Sequence, residues 1–194
     1  MTIGVLALQG SVAEHLKMIT SVNKKIDAVP VRTIDELATV DGLIIPGGES
    51  TTLRKLLDST EPETALYTPI KARIEAGMPV WGTCAGLILL ARGIEGERPY
   101  FGVLDVDVKR NAYGRQINSF VTDGEFAGMT IGMVFIRAPM ITRVGDGVEV
   151  LAEHDGKPVA VRQGQILATA FHPEVTQRDN RVHRYFCGMV ESKQ

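Results

Sequence analysis

The chain has 194 residues, 44% hydrophobic and 23% charged, which is enough for one domain with a sizeable core. Its formal net charge of −2 argues against nucleic acid or an anionic membrane as a partner. It holds two cysteines, Cys84 and Cys187, in no metal-ligand spacing, which points to free thiols in a reducing, cytoplasmic setting.

The chain opens with an apolar run, "IGVLAL" (3–8), expected as a strand covered on both faces. No Lys or Arg precedes it, and it is too short for a signal segment; no stretch reaches the length of a membrane span. Ser11 and Glu14 have capping-box spacing, and Val12, Leu16 and Ile19 follow at helical spacing. "AVPV" (28–31) and "GLII" (42–45) read as further strands, the latter ended by Pro46-Gly47-Gly48. Ser50 is placed to cap a helix carrying Leu53, Leu56 and Leu57. Thr68-Pro69 reads as the start of another helix and Gly77 as its stop. "PVWG" (79–82) is a fourth strand, with a helix over 85–92 closed by Gly93. Alternating strands and helices imply a mostly parallel sheet flanked by helices.

The second half changes character. "VLDVDV" (103–108) alternates with period two, and "IGMVFI" (131–136), "VEVLAE" (148–153) and "PVAVR" (158–162) follow. Asp155-Gly156 is a hairpin turn between the last two. "ILATAF" (166–171) returns to the main sheet, and 179–190 closes the chain as an amphipathic helix, with Val182, Tyr185, Phe186, Met189 and Val190 inward. The expectation is one α/β domain over 1–194 with an antiparallel insertion in its second half.

Three stretches carry chemistry. Gly82-Thr83-Cys84-Ala85-Gly86 is a G-x-C-x-G pattern, the thiol form of the nucleophile elbow. A strand turning sharply into a helix would project Cys84 from the sheet edge, with the Ala85 N–H aimed where an oxyanion forms. The competing reading is a buried core cysteine. In "FHPE", His172 follows an apolar strand, where parallel sheets deliver functional groups. If that segment stays extended, Glu174 faces the same way and can orient the imidazole. The alternative is an irregular loop. "IIPGGESTT" (44–52) is a strand end, a glycine pair and a helix start. Its N–H groups suit an oxyanion hole or a substrate; a phosphate cradle and a bare turn are the alternatives. Of the other histidines, His15, His154 and His183 read as solvated or structural, and Cys187 and Trp81 as core.

"PGGEST", "GTCAG" and "FHPE", in this order over nearly the whole chain, resemble the class I (triad-type) glutamine amidotransferases, whose fold is flavodoxin-like. "LALQGSVAEH" (6–15), "KRNAYGRQ" (109–116) and "FIRAP" (135–139) are similar to the branch that supplies the glutaminase subunit of pyridoxal 5′-phosphate synthase. No motif position departs from the pattern. The resemblance implies that Cys84 attacks the glutamine side-chain amide, that His172 shuttles the proton and that Glu174 orients His172. It implies L-glutamine binding by Gly48, Glu49, Ser50, Arg110, Ile136 and Arg137. It implies an oxyanion hole of Ala85 and Gly48, with Gln9-Gly10 bordering it and completing it on docking. It implies ammonia delivery to a separate (β/α)₈ synthase subunit, no cofactor and no metal, pyridoxal 5′-phosphate being the product of the complex. The alternatives are another α/β cysteine hydrolase of the peptidase or deglycase type, the glutaminase of a different pathway, or a non-catalytic subunit that keeps the fold.

Overall fold

In the computed structural model, residues 1–110, 119–176 and 179–193 are described. The first half runs β1 (Thr2–Leu6), α1 (Val12–Val22), β2 (Asp27–Val31), α2 (Ile34–Ala38), β3 (Gly42–Ile45), α3 (Ser50–Leu57), α4 (Tyr67–Glu75), β4 (Val80–Thr83) and α5 (Ala85–Leu90). The second half runs β5 (Ala91–Ile94), β6 (Leu104–Lys109), β7 (Ser119–Phe126), β8 (Met129–Ile136), β9 (Met140–Val144), β10 (Glu149–His154), β11 (Lys157–Gln163), β12 (Ile166–Thr169), a 3-10 turn (Pro173–Val175) and α6 (Arg181–Glu191).

The main sheet has seven strands in the order β10-β11-β12-β4-β3-β1-β2. β2, β1, β3, β4 and β12 are parallel, and β11 and β10 add antiparallel at one edge. β3 and β4 are buried throughout, which explains why they read as unbroken apolar runs. Successive residues of β4 face opposite layers. The Trp81 ring meets His15 of α1 and His183 and Phe186 of α6. Gly82, the next residue, lies against Gly86 and Leu90 of α5. Among the described residues no helix is long and apolar enough to cross a membrane.

Several local expectations are corrected. The α5 helix ends at Leu90, not 92, because Ala91 turns extended and starts β5, where Gly93 sits against Asp107. The α4 helix begins at Tyr67 with Leu66 as its cap, so Pro69 lies in its first turn rather than opening it. Gly77 does follow the helix end at positive φ. The inserted second half carries the expected antiparallel pairing, β6 with β9, and adds one parallel pair, β5 with β6. β7 and β8 form a separate hairpin. Its turn, Ala127-Gly128, has both residues at positive φ, as does Asp155-Gly156 between β10 and β11. Alanine rarely takes that conformation, so the first hairpin leaves little trace in the sequence.

Candidate active site

At the end of β4 the chain turns at Cys84, with φ 48° and ψ −98°. A non-glycine residue there is strained, and the surroundings must hold it. The Cys84 N–H donates to the Thr169 carbonyl at 2.8 Å, tying the corner to the end of β12. The flanking glycines follow from close packing. A Cβ on Gly82 would press on the Gly86 backbone, and one on Gly86 would strike the Ile45 carbonyl.

His172 lies three residues beyond β12, and its N–H donates to the Val134 carbonyl of β8 at 2.8 Å. Its Nδ1 is 2.7 Å from Glu174 Oε1. The ring packs against Gly47, where a Cβ would collide with it. Burial opposes a charge on His172, but hydrogen bonds with Cys84 and Glu174, and their charges, outweigh it and push its pKa up to about 10. Glu174 is 4% exposed. Burial would raise its pKa; His15, His172 and Ser11 outweigh this and hold it near about 2. His172 and Glu174 meet as the sequence suggested, though not through an extended segment. The 3-10 turn Pro173–Val175 brings the carboxylate back onto the ring.

Two caps are also corrected. Ser11 precedes α1 without capping it; its hydroxyl donates to Glu174 Oε1 at 2.6 Å instead. Glu49, not Ser50, caps α3, accepting from the N–H groups of Thr51 and Thr52 at 3.1 and 2.7 Å. Burial would raise Glu49; the bonds from Thr52 and Thr51 hold it down at about 2.

A cavity of about 450 Å³ opens in front of Cys84 and His172. Gly48, Glu49, Ser50, Ala85, Arg110, Ile136 and Arg137 all line it, and Ile88 adds an apolar wall that no motif flagged. The Cys84 thiol lies 3.8 Å from the Ile136 carbonyl. Arg110 is paired with Glu97 at 2.6 Å and with Glu49 at 3.5 Å. Residues 111–116 of the "KRNAYGRQ" stretch lie outside the described residues. Gln9 and Gly10 stand behind the glycine loop rather than in the cavity. Gln9 Oε1 accepts from the Glu49 N–H at 2.9 Å, and Gly10, at φ 102°, rests against the Gly47 carbonyl.

His15 and His183 are fully buried, not solvated. His15 Nδ1 is 3.0 Å from His183 Nε2, and its Nε2 is 3.3 Å from Thr83 Oγ1 and 3.6 Å from Glu174 Oε2. Sequence reading missed this group behind Glu174. The one trace was Ser11 and His15, four residues apart at the start of a helix and so on one face. His154 packs beside Phe120 and Phe135. Cys187 is buried in α6, and burial pushes its thiol up to about 12, which suits a core role.

The model of the SNO glutamine amidotransferase family matches residues 5–192. The chain belongs to the SNO glutamine amidotransferase family. Similar full-length relatives include the pyridoxal 5′-phosphate synthase subunit PdxT of Mycobacteroides abscessus, 53% identical over 98% of this chain and 97% of that one. The subunit of the same name from Shouchella clausii is 46% identical over 100% of this chain and 97% of that one. A crystal structure of a glutamine amidotransferase superposes with a TM-score of 0.89 at 46% identity, covering 97% of this chain and 98% of its own. PurLQS from Thermotoga maritima shares the fold at 16% identity, with a TM-score of 0.71. A thiol and an imidazole line one cavity, and a buried carboxylate is bonded to the imidazole.

Proposed function

We propose that this chain hydrolyses L-glutamine to L-glutamate and ammonia, as the glutaminase subunit of a cytoplasmic pyridoxal 5′-phosphate synthase, and that residues 1–194 form one catalytic domain. The observation that carries this reading is Cys84 and His172 together on the cavity wall, with Glu174 bonded to His172 behind it, in a chain 53% identical to a named subunit of that synthase. The chemistry follows from the geometry. Cys84 gives its thiol proton to His172 as it attacks the side-chain amide carbon of glutamine. The N–H groups of Ala85 and Gly48 stabilise the oxyanion, with the Gln9-Gly10 segment fixing the glycine loop behind them. His172 gives its proton to the departing ammonia, leaving a glutamyl thioester on Cys84. A water then loses a proton to His172 and attacks the thioester, releasing glutamate and the thiol. Glu174 holds the imidazole in register throughout.

The rim supplies recognition. Arg110 and Arg137 offer guanidinium groups to the α-carboxylate, and Glu49 a carboxylate to the α-ammonium. Gly48, Ser50 and Ile136 shape the slot between them. The partner is the synthase subunit, a (β/α)₈ barrel, which receives the ammonia before water protonates it. The chain itself uses no cofactor; pyridoxal 5′-phosphate is the product of the complex. The test is ammonia and glutamate release from glutamine, with and without the synthase subunit, by wild type and Cys84→Ala. Turnover that rises with the partner and disappears in Cys84→Ala is the expected result. No turnover under any condition overturns the reading.

A further inference from the structure

Glu174 carries an unfinished hydrogen-bond pattern. Its Oε1 accepts from Ser11 at 2.6 Å and meets His172 Nδ1 at 2.7 Å. Its Oε2 is buried with no hydrogen-bond partner among the described residues. A carboxylate oxygen in that state is costly, and a nearby donor is strongly favoured. The nitrogen facing it is His15 Nε2, at 3.6 Å, with both side chains shut from solvent. A shift of under about 1 Å closes this to hydrogen-bond distance.

The tautomer is constrained from the other side. His15 Nδ1 lies 3.0 Å from His183 Nε2, so one donates and the other accepts. His183 Nδ1 is buried with no partner among the described residues. If His15 Nδ1 carried the proton, His183 Nε2 would accept it, and its Nδ1–H would be a buried orphan donor. Orphan donors are rarer than orphan acceptors. The opposite assignment leaves only a bare lone pair on His183 Nδ1. It also aims the His15 Nε2–H between Thr83 Oγ1 and Glu174 Oε2.

We propose that His15 is a positioning residue: its Nε2–H, set by His183 behind it, donates to Glu174 Oε2 and so holds Oε1 on His172. His15 acts as a neutral donor, not a cation, because burial lowers its pKa against the attraction of Glu174 and Glu14, with His172 adding to the lowering. His183 is lowered further by burial and by His15, against Glu174 and Asp179. The groups facing His172 are Cys84, Glu174 and His15. Without the His15 donor the carboxylate turns more freely, and the His172 imidazolium loses part of its support.

The kinetic part of the test rests on the glutaminase reading; two other parts do not. In ¹⁵N NMR of the histidine-labelled wild type at neutral pH, His15 is expected protonated at Nε2 and bare at Nδ1. The reverse tautomer overturns the proposal. His15→Phe keeps the bulk without a donor, and His15→Gln keeps a donor, with thermal melting to check that each folds. His15→Phe should slow iodoacetamide alkylation of Cys84 at mildly acidic pH, through the loosened imidazole beside the thiol, and His15→Gln should restore much of it. With the synthase subunit present, His15→Phe should lower kcat about tenfold with KM for glutamine within about twofold, and bring the alkaline limb of the pH profile to lower pH. A folded His15→Phe with wild-type alkylation, or equal loss in both variants, removes the donor from the account. If wild type turns over no glutamine, the functional reading falls, and the NMR and alkylation results still decide the role of His15. If His15→Phe does not fold, the wild-type tautomer alone decides it.

Discussion

The floor and the rim of the cavity are built on different terms. On the floor, Cys84 and His172 are 7% and 8% exposed and tied by backbone bonds, and Glu174, 4% exposed, stands behind His172, bonded to Ser11 and the imidazole. On the rim, the side chains of Arg110 and Glu49 are 28% and 53% exposed and face each other at 3.5 Å. Buried charges arranged in advance act strongly at low dielectric and need no rearrangement during reaction. Exposed pairs are worth only about 0–1 kcal/mol and are readily exchanged. The floor is thus suited to reactive chemistry and the rim to binding a zwitterion that offers both charges its own partners.

Breaking the floor should have the largest effects. Cys84→Ala should reduce glutamine hydrolysis by at least about a thousandfold without loss of folding, measured by ammonia release and thermal melting. Residual activity near wild type would move the chemistry away from the elbow. Gly47→Ala puts a methyl group into the His172 ring, and the imidazole must move. A displacement near 1 Å costs about a hundredfold in rate, so kcat should fall by that order while Cys84 remains present. An unchanged kcat would show that the ring has room to yield.

The next prediction concerns pH. Glu174 has a folded pKa of about 2 against an ordinary value of 4.5. A carboxyl held low stabilises the fold fully above its unfolded value, and the contribution is lost as pH falls through the folded value. Urea unfolding should therefore show wild type ahead of Glu174→Gln by up to about 3 kcal/mol near pH 6, a ceiling because a neutral His15 adds no charge of its own, with the gap narrowing as pH falls below about 4.5. A gap independent of pH would mean that the carboxylate is not held in its charged form. The smallest expected effect is at the rim. Arg110→Ala should raise KM for glutamine about tenfold, with kcat within a few-fold and melting temperature unchanged. A collapse of kcat instead would place Arg110 with the floor.

What could be read from the sequence follows the same division between local and distant causes. Cys84 and His172 were visible because each sits in a short motif whose spacing expresses its own backbone geometry. Gly82 reports a collision with Gly86 inside five residues, whereas Gly86 is required by the distant Ile45 carbonyl. The partners of Glu174 were not visible in that way. Ser11 is 163 residues from Glu174 along the chain, and its hydroxyl looked like a helix cap because caps and distant acceptors use the same side chain. Glu49, which does cap its helix, was hidden behind the more familiar Ser50. The β7–β8 hairpin was hidden by an alanine at positive φ, and the end of α5 by an apolar run that suits helix and strand equally.

The most direct test of the account is the mass of the chain during turnover. The complex with its synthase subunit is supplied with glutamine and quenched in acid, and the cysteine-containing peptides are weighed. The account predicts one added glutamyl group on the peptide that carries Cys84, absent in Cys84→Ala. Ammonia release with the acyl group on Cys187, or with both cysteines unmodified throughout turnover, would contradict it.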